Sequence, residues 1–455
     1  MKNKIIKHFI KLLPNKFGTI LYKIQISDIA RRISVGVFWT LVGSIASNFS
    51  TLLSLIIIAR ILGKSEFGEF GMIKSTINTF GVFGGFGLGL TATKYIAEIR
   101  QSNKRKVGNI IGITTIMSYI IGFFVAIIIF LFSKVLAENT INAPHLLEEI
   151  QLASLIIYLS SINGTQSGIL SGFENFKFIA FSNIASAIVT FPVQLLFTYY
   201  MGLQGAIIGL LISFFLKIAI NNYFLRKQYL IEKIIPDYKI RWDDLHILLK
   251  FSLPSLLSGL MVGPIIWVSN TMLVNRPGGY NEMAIYEAAT QWKNTIAFLP
   301  AILSSIVLPL ISSTTLDRNK FKKILKINIK LNLYISFTIA IIISIFSTLI
   351  MNTFGTDFIN GANVLIILAI STILSSVNSV IGQALAGKDR MWVAFLFNLI
   401  WGVILIFFSH LFIQLNYGAL GLALAFLISY MFHSLIQFIY LKHQIYNKWD
   451  SQTTL

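Results

Sequence analysis

Long apolar stretches alternate with short polar ones along almost the whole chain. A helix needs roughly 20 apolar residues to cross about 30 Å of hydrocarbon. Twelve stretches meet that length, at 34–59, 70–93, 108–132, 148–170, 178–200, 203–224, 250–274, 283–311, 327–350, 362–385, 392–414 and 418–441. An even count puts both termini on one side of the membrane. With that side taken as the cytoplasm, 29 of the 37 Lys and Arg residues fall in inner segments. Only Arg60, Lys64, Lys134 and Arg276 fall in outer ones, and Lys74, Lys94, Lys217 and Lys293 lie inside spans. The excess of cytoplasmic lysine and arginine predicts cytoplasmic termini.

The chain also repeats itself. At a shift of 215, Ser160, Ser161, Asn163, Leu170, Gly172 and Asn183 fall on Ser375, Ser376, Asn378, Leu385, Gly387 and Asn398. At 216, Gly202, Gly205 and Ser213 fall on Gly418, Gly421 and Ser429, and Arg60 and Glu66 fall on Arg276 and Glu282. Matches of Leu and Ile are cheap in so apolar a chain, but ordered matches of Asn, Arg, Gly and Glu are not. Each unit holds six spans, so both begin on the same side: a parallel repeat about an axis along the membrane normal. The expected organisation is a basic arm (1–32), a six-helix lobe (33–224), a cytoplasmic connector (225–249), a second six-helix lobe (250–441) and a tail (442–455). Two such lobes can rock about a central cavity, which favours transport over a purely structural role.

Composition agrees with lipid residence: 55% of the 455 residues are hydrophobic and 12% charged, and the mean hydropathy is +0.75. The first 32 residues carry eight basic side chains and no apolar run ending in a small-residue cleavage site, so they read as a retained arm rather than a signal peptide. Ile5, Ile6, Phe9, Ile10, Leu12 and Leu13 fall among its lysines. A helix lying on the anionic inner leaflet and a disordered basic tail both fit that pattern. The net charge of +19 reports orientation, so no nucleic-acid partner is expected. Without cysteine, disulfides and thiolate metal sites are excluded.

Charges inside the spans carry the candidate chemistry, because each costs at least about 2.5–3.5 kcal/mol at a helix centre unless it finds a partner or water. Lys74, Asn78, Gly81 and Gly85 share a face of the second span; Ser44, Ser47, Asn48, Thr51 and Ser54 line the first. Ser213, Lys217 and Asn221 follow one face of the sixth, and Glu287, Gln291 and Asn294 one face of the eighth, with Lys293 at its edge. Lys94, near a cytoplasmic end, reads as a side chain snorkelling to the interface. Lys74 and Lys217 fit either a cavity or the interface, whereas Lys293 lies deeper and reads as a cavity residue. Glu287 reads as a neutralising partner of Arg276 or Lys293. A cavity lined by lysine and arginine with almost no acid attracts an anion, such as the phosphates of a lipid carrier.

Two motifs fail. GQALAGKD (382–389) mimics a phosphate-binding loop but ends in Asp where Ser or Thr would ligate magnesium, and it follows no soluble strand. The six histidines show no metal spacing; His410 and His433 read as satisfied by neighbouring helices. One motif holds. ARILGKSEFGEFG, from Ala59 to Gly71, resembles the Ala-Arg-x-Leu-Gly-x-x-x-Phe-Gly signature of bacterial polysaccharide flippases, the O-antigen and capsule repeat-unit translocases of the multidrug/oligosaccharidyl-lipid/polysaccharide exporter superfamily. GFGLGLTATKYIAE, LSGFENFKF and QWKNTIAFLPAILSSIVLPLIS, with Pro300 and Pro309, look like the same family, so the resemblance covers nearly the whole chain.

The resemblance implies an all-α integral membrane fold of twelve transmembrane helices in two six-helix lobes, like that of the multidrug exporters. It implies no enzyme and no cofactor, with a coupling ion, H+ or Na+, left open. The expected cargo is an undecaprenyl-diphosphate-linked oligosaccharide, flipped across a bacterial inner membrane by alternating access, with membrane lipid, a polysaccharide polymerase and chain-length machinery as further partners. Lys293, Lys74, Lys217, Arg60 and Arg276 are the expected anion-binding residues, and Asn48, Asn78, Glu287, Gln291 and Asn294 the polar lining. Family members often carry arginine where Lys293 stands; lysine keeps the charge but loses the bidentate fork. The rival expectations are a drug/cation antiporter of the same superfamily, which needs acid deep in a lobe, and a non-transporting scaffold for glycan assembly.

Overall fold

The computed structural model describes residues 28–239, 261–312, 318–386 and 390–443, which are helical with short connections and contain no strand. The basic arm up to residue 27 and residues 240–249 of the connector lie outside the described residues, as do the tail from 444 and the Lys388 stretch of GQALAGKD. Eleven long helices are described: α1 (Asp28–Gly85), α2 (Leu88–Ile99), α3 (Lys104–Leu131), α4 (Leu147–Gly172), α5 (Phe176–Glu232), α6 (Val262–Val274), α7 (Gly279–Ser312), α8 (Arg318–Ile345), α9 (Ala362–Ala386), α10 (Met391–Gln414) and α11 (Gly418–Tyr440). Seven of the described helices are long and apolar enough to cross a membrane. Many of their large apolar side chains, such as Phe124 and Leu131 on α3 and Val403 and Phe407 on α10, point outward. That is how helices meet lipid.

Two of those helices are pairs of legs joined by one residue. α1 turns at Gly63 (φ 74°, ψ −178°) and α5 at Gly202 (φ 58°, ψ −135°), in left-handed backbone that glycine enters without a Cβ penalty. The polar segment read between the first two spans is therefore a one-residue turn, and the helix resumes at Lys64. The second predicted span, 70–93, is broken instead: Phe86 and Gly87 both take positive φ, and α2 begins afresh at Leu88. The segment read as connector from 225 stays helical to Glu232.

Two positions matched in the sequence repeat share a backbone conformation. Gly202 and its repeat mate Gly418 both have positive φ. Each lies beside one of the two acids matched in the repeat: Glu66 approaches Gly202, and Glu282 Oε2 accepts the Ala419 N–H at 2.8 Å where α11 begins. A carboxylate there meets an otherwise unpaired backbone donor and the positive end of the helix dipole.

Helices α1–α5 pack among themselves, and α7–α11 do the same. The two groups meet chiefly where α1 lies against α7 and α6. This junction uses the start of the second leg of α1. A Cβ on Gly68 would lie 1.8 Å from the Tyr280 carbonyl oxygen, and one on Gly71 would lie 3.1 Å from the Glu287 side chain. Phe67 packs against both Phe354 and Phe358, which also touch each other, and Arg60 donates to the Thr353 carbonyl at 2.6 Å. Further along, Asn270 donates to Ser75 (2.9 Å), Trp267 to Thr76 (3.0 Å) and Thr79 to the Gly263 carbonyl (3.2 Å). Asn275 and Tyr280 reach the Thr140 and Ile141 carbonyls, both at 2.8 Å. The contacts of Arg60, Phe67, Gly68, Asn275 and Tyr280 seal the Gly63 end of the bundle, and those of Ser75, Thr76 and Thr79 continue the junction along the leg toward Gly85.

Gly68→Ala is expected to force α1 off α7. Overpacking of this kind costs about 1–3 kcal/mol, which a lowered unfolding temperature of the detergent-solubilised protein would show. Gly164→Ala, where an added Cβ meets nothing within 4 Å in the middle of α4, is expected to leave that temperature unchanged or slightly raised. Equal effects at the two positions would refute the close-approach account.

Candidate functional site

Behind the sealed junction, within the first group of helices, lies a cavity of about 210 Å³. The first leg of α1 supplies Ser47, Ser50, Thr51 and Ser54, at helical spacing along one face; the second leg supplies Phe70 and Lys74. Asn163 comes from α4, Asn183, Ser186, Thr190 and Gln194 from the first leg of α5, and Ser213 and Lys217 from its second. The bends at Gly63 and Gly202 bring both pairs of legs to the same space. Lys74 and Lys217 are the charged residues of this lining, and no carboxylate is among the described residues that form it.

The polar wall is braced from behind. Asn221 donates to Asn163 at 2.8 Å and accepts from Ser182; both Ser182 and Asn221 are buried. Ser186 Oγ is buried with no hydrogen-bond partner among the described residues. An orphaned hydroxyl beside a polar cavity calls for water or a ligand.

Lys74 faces two ways. It lines the cavity, and its Nζ donates to Glu287 Oε1 across the junction at 2.7 Å. Gln291 donates to the same oxygen at 2.7 Å. Side-chain exposure is 20% for Lys74 and 10% for Glu287, so solvent screens this pair weakly. Removing one member of such a pair strands a buried charge, at about 3–5 kcal/mol.

The remaining expected site residues scatter. Glu287 neutralises Lys74, not Arg276 or Lys293 as the spacing suggested. Lys293 belongs to the second group, with its Nζ 4.3 Å from the centre of the Phe426 ring, a cation–π contact. Arg60 and Arg276 are exposed near the sealed end, Arg60 with its bond to Thr353. Asn48, Asn78 and Asn294 are exposed and outside the cavity lining. Lys94 is exposed, with its Nζ 5.2 Å from the Tyr95 ring centre. His410 and His433 meet Gln414 and Gln437 one turn along their own helices, rather than partners on neighbouring ones. The polar cavity residues that sequence reasoning missed are Ser50, Ser186, Thr190 and Gln194. Asn163, Asn183 and Ser213 carried a signal of another kind, since each is a position matched in the repeat.

Comparisons with known proteins agree with this architecture. The model of a family described as "Polysaccharide biosynthesis protein" matches residues 33–315. The chain is 22% identical over 395 residues to the EPS I polysaccharide export inner membrane protein EpsE of Ralstonia solanacearum, covering 84% of this chain and 87% of that one. It is 23% identical over 415 residues to a Shigella flexneri protein named "Putative O-antigen transporter", covering 88% and 96%. Among solved structures, an inward-facing multidrug resistance MATE family transporter of the MOP superfamily superposes with a TM-score of 0.76 at 16% identity, covering 91% of this chain and 99% of that one. An outward-facing structure from the same family gives 0.70 at 17% identity, covering 93% and 97%. These likenesses establish a MATE-type fold. With that fold, its membrane-crossing helices and the match over residues 33–315, the chain belongs to the polysaccharide biosynthesis protein family of multi-pass membrane proteins.

Proposed function

We propose that this protein, a membrane transporter of polysaccharide biosynthesis, flips an undecaprenyl-diphosphate-linked oligosaccharide across a bacterial inner membrane by alternating access. The observation that carries the reading is the cavity in the first group: it is polar, lies among membrane-crossing helices, and is lined by Lys74 and Lys217 without a carboxylate among its described residues. Such a site favours an anion. The relatives' names point to glycan export, and a diphosphate is the anionic part of a lipid-linked glycan. The excess of basic residues on one side supports cytoplasmic termini, so the sealed Gly63 end faces outward and the cargo enters from the cytoplasm. Its lipid tail stays in the bilayer while the charged head occupies the cavity. Arg60, Arg276 and Lys293 would meet the head at later stages, after the sealed end opens.

The cation-antiporter reading needs an acid free to receive a cation. Glu287, the acid deepest in the junction, already holds Lys74 and Gln291. The anionic cargo fits better.

Two outcomes follow. A hydrogen bond to a charged group contributes about 1.5–3 kcal/mol, so Lys74→Ala and Lys217→Ala are each expected to slow transfer of a lipid-linked oligosaccharide across proteoliposomes by roughly tenfold or more. Lys217→Arg is expected to keep most of the rate. Wild-type rates in both alanine variants, with normal insertion, would remove the cavity from the mechanism. Deletion of the gene in its host is expected to deplete a surface glycan; intact glycans with new sensitivity to cationic drugs would establish the antiporter instead.

A further inference from the structure

We propose that Lys74 is a shared partner, held by Glu287 in the sealed state and taken over by the anionic head group, so that arrival of a diphosphate releases the latch between the two groups of helices. This rests on the anionic cargo proposed above and adds how its binding is coupled to opening. Three observations carry it. First, one ammonium group serves both places: Lys74 lines the cavity and donates to Glu287 at 2.7 Å. A diphosphate beside that ammonium repels the Glu287 carboxylate and competes for the same protons.

Second, Glu287 has little else to turn to. It is 8% exposed, and its other described bond is from Gln291, a neutral amide. A carboxylate that loses its cation in such a place must reach water. Third, it cannot swing there while the junction is shut. Gly71 lies directly against its side chain, so close that even a Cβ on Gly71 would sit 3.1 Å from Glu287 Cβ and Cγ. Hydrating Glu287 therefore requires α1 and α7 to part, which is the movement that opens the sealed end.

Linkage makes the idea testable. If the anion favours the open form because Glu287 gives up Lys74, then removing Glu287 must open the junction and tighten anion binding by corresponding factors. The chain has no cysteine of its own, so Asn139→Cys and Asn281→Cys, both at exposed positions near the sealed end, accept a pair of spin labels without background. The full chain in lipid nanodiscs is titrated with farnesyl diphosphate, inorganic pyrophosphate and farnesol, and both binding and the interlabel distance are measured.

The wild-type protein is expected to show a short distance that lengthens with diphosphate and not with farnesol. Opening by pyrophosphate alone assigns the trigger to the free anion, and opening by farnesyl diphosphate alone assigns it to the lipid-borne group; either supports the latch. Glu287→Gln is expected to show the long distance without ligand and to bind diphosphate at least about fivefold more tightly, within the usual range of coupling between sites. The exchanged pair Lys74→Glu/Glu287→Lys rebuilds the tie with the acid on the cavity side; it is expected to restore the short distance and abolish the response to diphosphate. Diphosphate binding that leaves the wild-type distance unchanged overturns the latch while leaving the cargo reading intact. So does a Glu287→Gln protein that stays closed with unaltered affinity, or an exchanged pair that still opens. Absence of diphosphate binding in the wild type removes both the latch and the cargo reading.

Discussion

The close approach of α1 to α7 governs the chemistry of this molecule. Gly68 lets the two backbones touch and Gly71 leaves room for the Glu287 side chain. Once helices lie this near, groups between them lose water, and any charge trapped there needs an opposite charge. Lys74, one turn beyond Gly71, supplies it. The motif from Ala59 to Gly71 is thus a single mechanical part. Gly63 turns the chain, Phe67 fills the gap against Phe354 and Phe358, the later glycines admit α7, and Arg60 fastens the corner to the Thr353 carbonyl.

Positions matched in the sequence repeat stand in different surroundings. Lys217 and its repeat mate His433 occupy equivalent places on the last leg of each group. In the first group the lysine borders a polar cavity. In the second, His433 is bonded to Gln437 at 2.9 Å and stacked on Tyr430, while Trp401, Phe426 and Tyr430 pack against one another nearby. Aromatic rings bury much area and leave little room for water. Among the described residues, the first group thus presents a polar, lysine-bearing lining where the second packs aromatic rings.

Much of this architecture was legible in the sequence. Apolar runs and glycine punctuation announced helices that cross a membrane, and among the positions matched in the sequence, Gly202 and Gly418 share a positive φ. The faces carrying Ser47, Thr51 and Ser54, or Ser213 and Lys217, were also visible, because residues three and four apart share a side of a helix. Which neighbour each face meets was not. Glu287 could be seen to need a cation, but its partner Lys74 lies 213 positions away, beyond anything periodicity encodes. Asn48 and Asn78 sit on the right helices yet outside the cavity, since the bends at Gly63 and Gly202 decide which strip of each leg turns inward.

On the anionic cargo proposed above, the hydroxyls of the cavity wall bear on which head group would fit. Thr51 donates its proton to the Ser47 carbonyl, Ser213 to Gly209 and Ser50 to Ala187. A hydroxyl that spends its proton on the backbone turns lone pairs outward. Toward a ligand, these side chains therefore accept rather than donate, and acceptors repel phosphate oxygens. Donors for an anion come instead from the two lysines, from the Ser186 hydroxyl, unbonded among the described residues, and from the amides of Asn183 and Gln194. A molecule of phosphate alone would use these donors and waste the rest of the wall. One that joins a phosphate to a sugar would place its anion on Lys74 and Lys217 and its own hydroxyl protons on the serine and threonine oxygens, matching both parts of the surface at once.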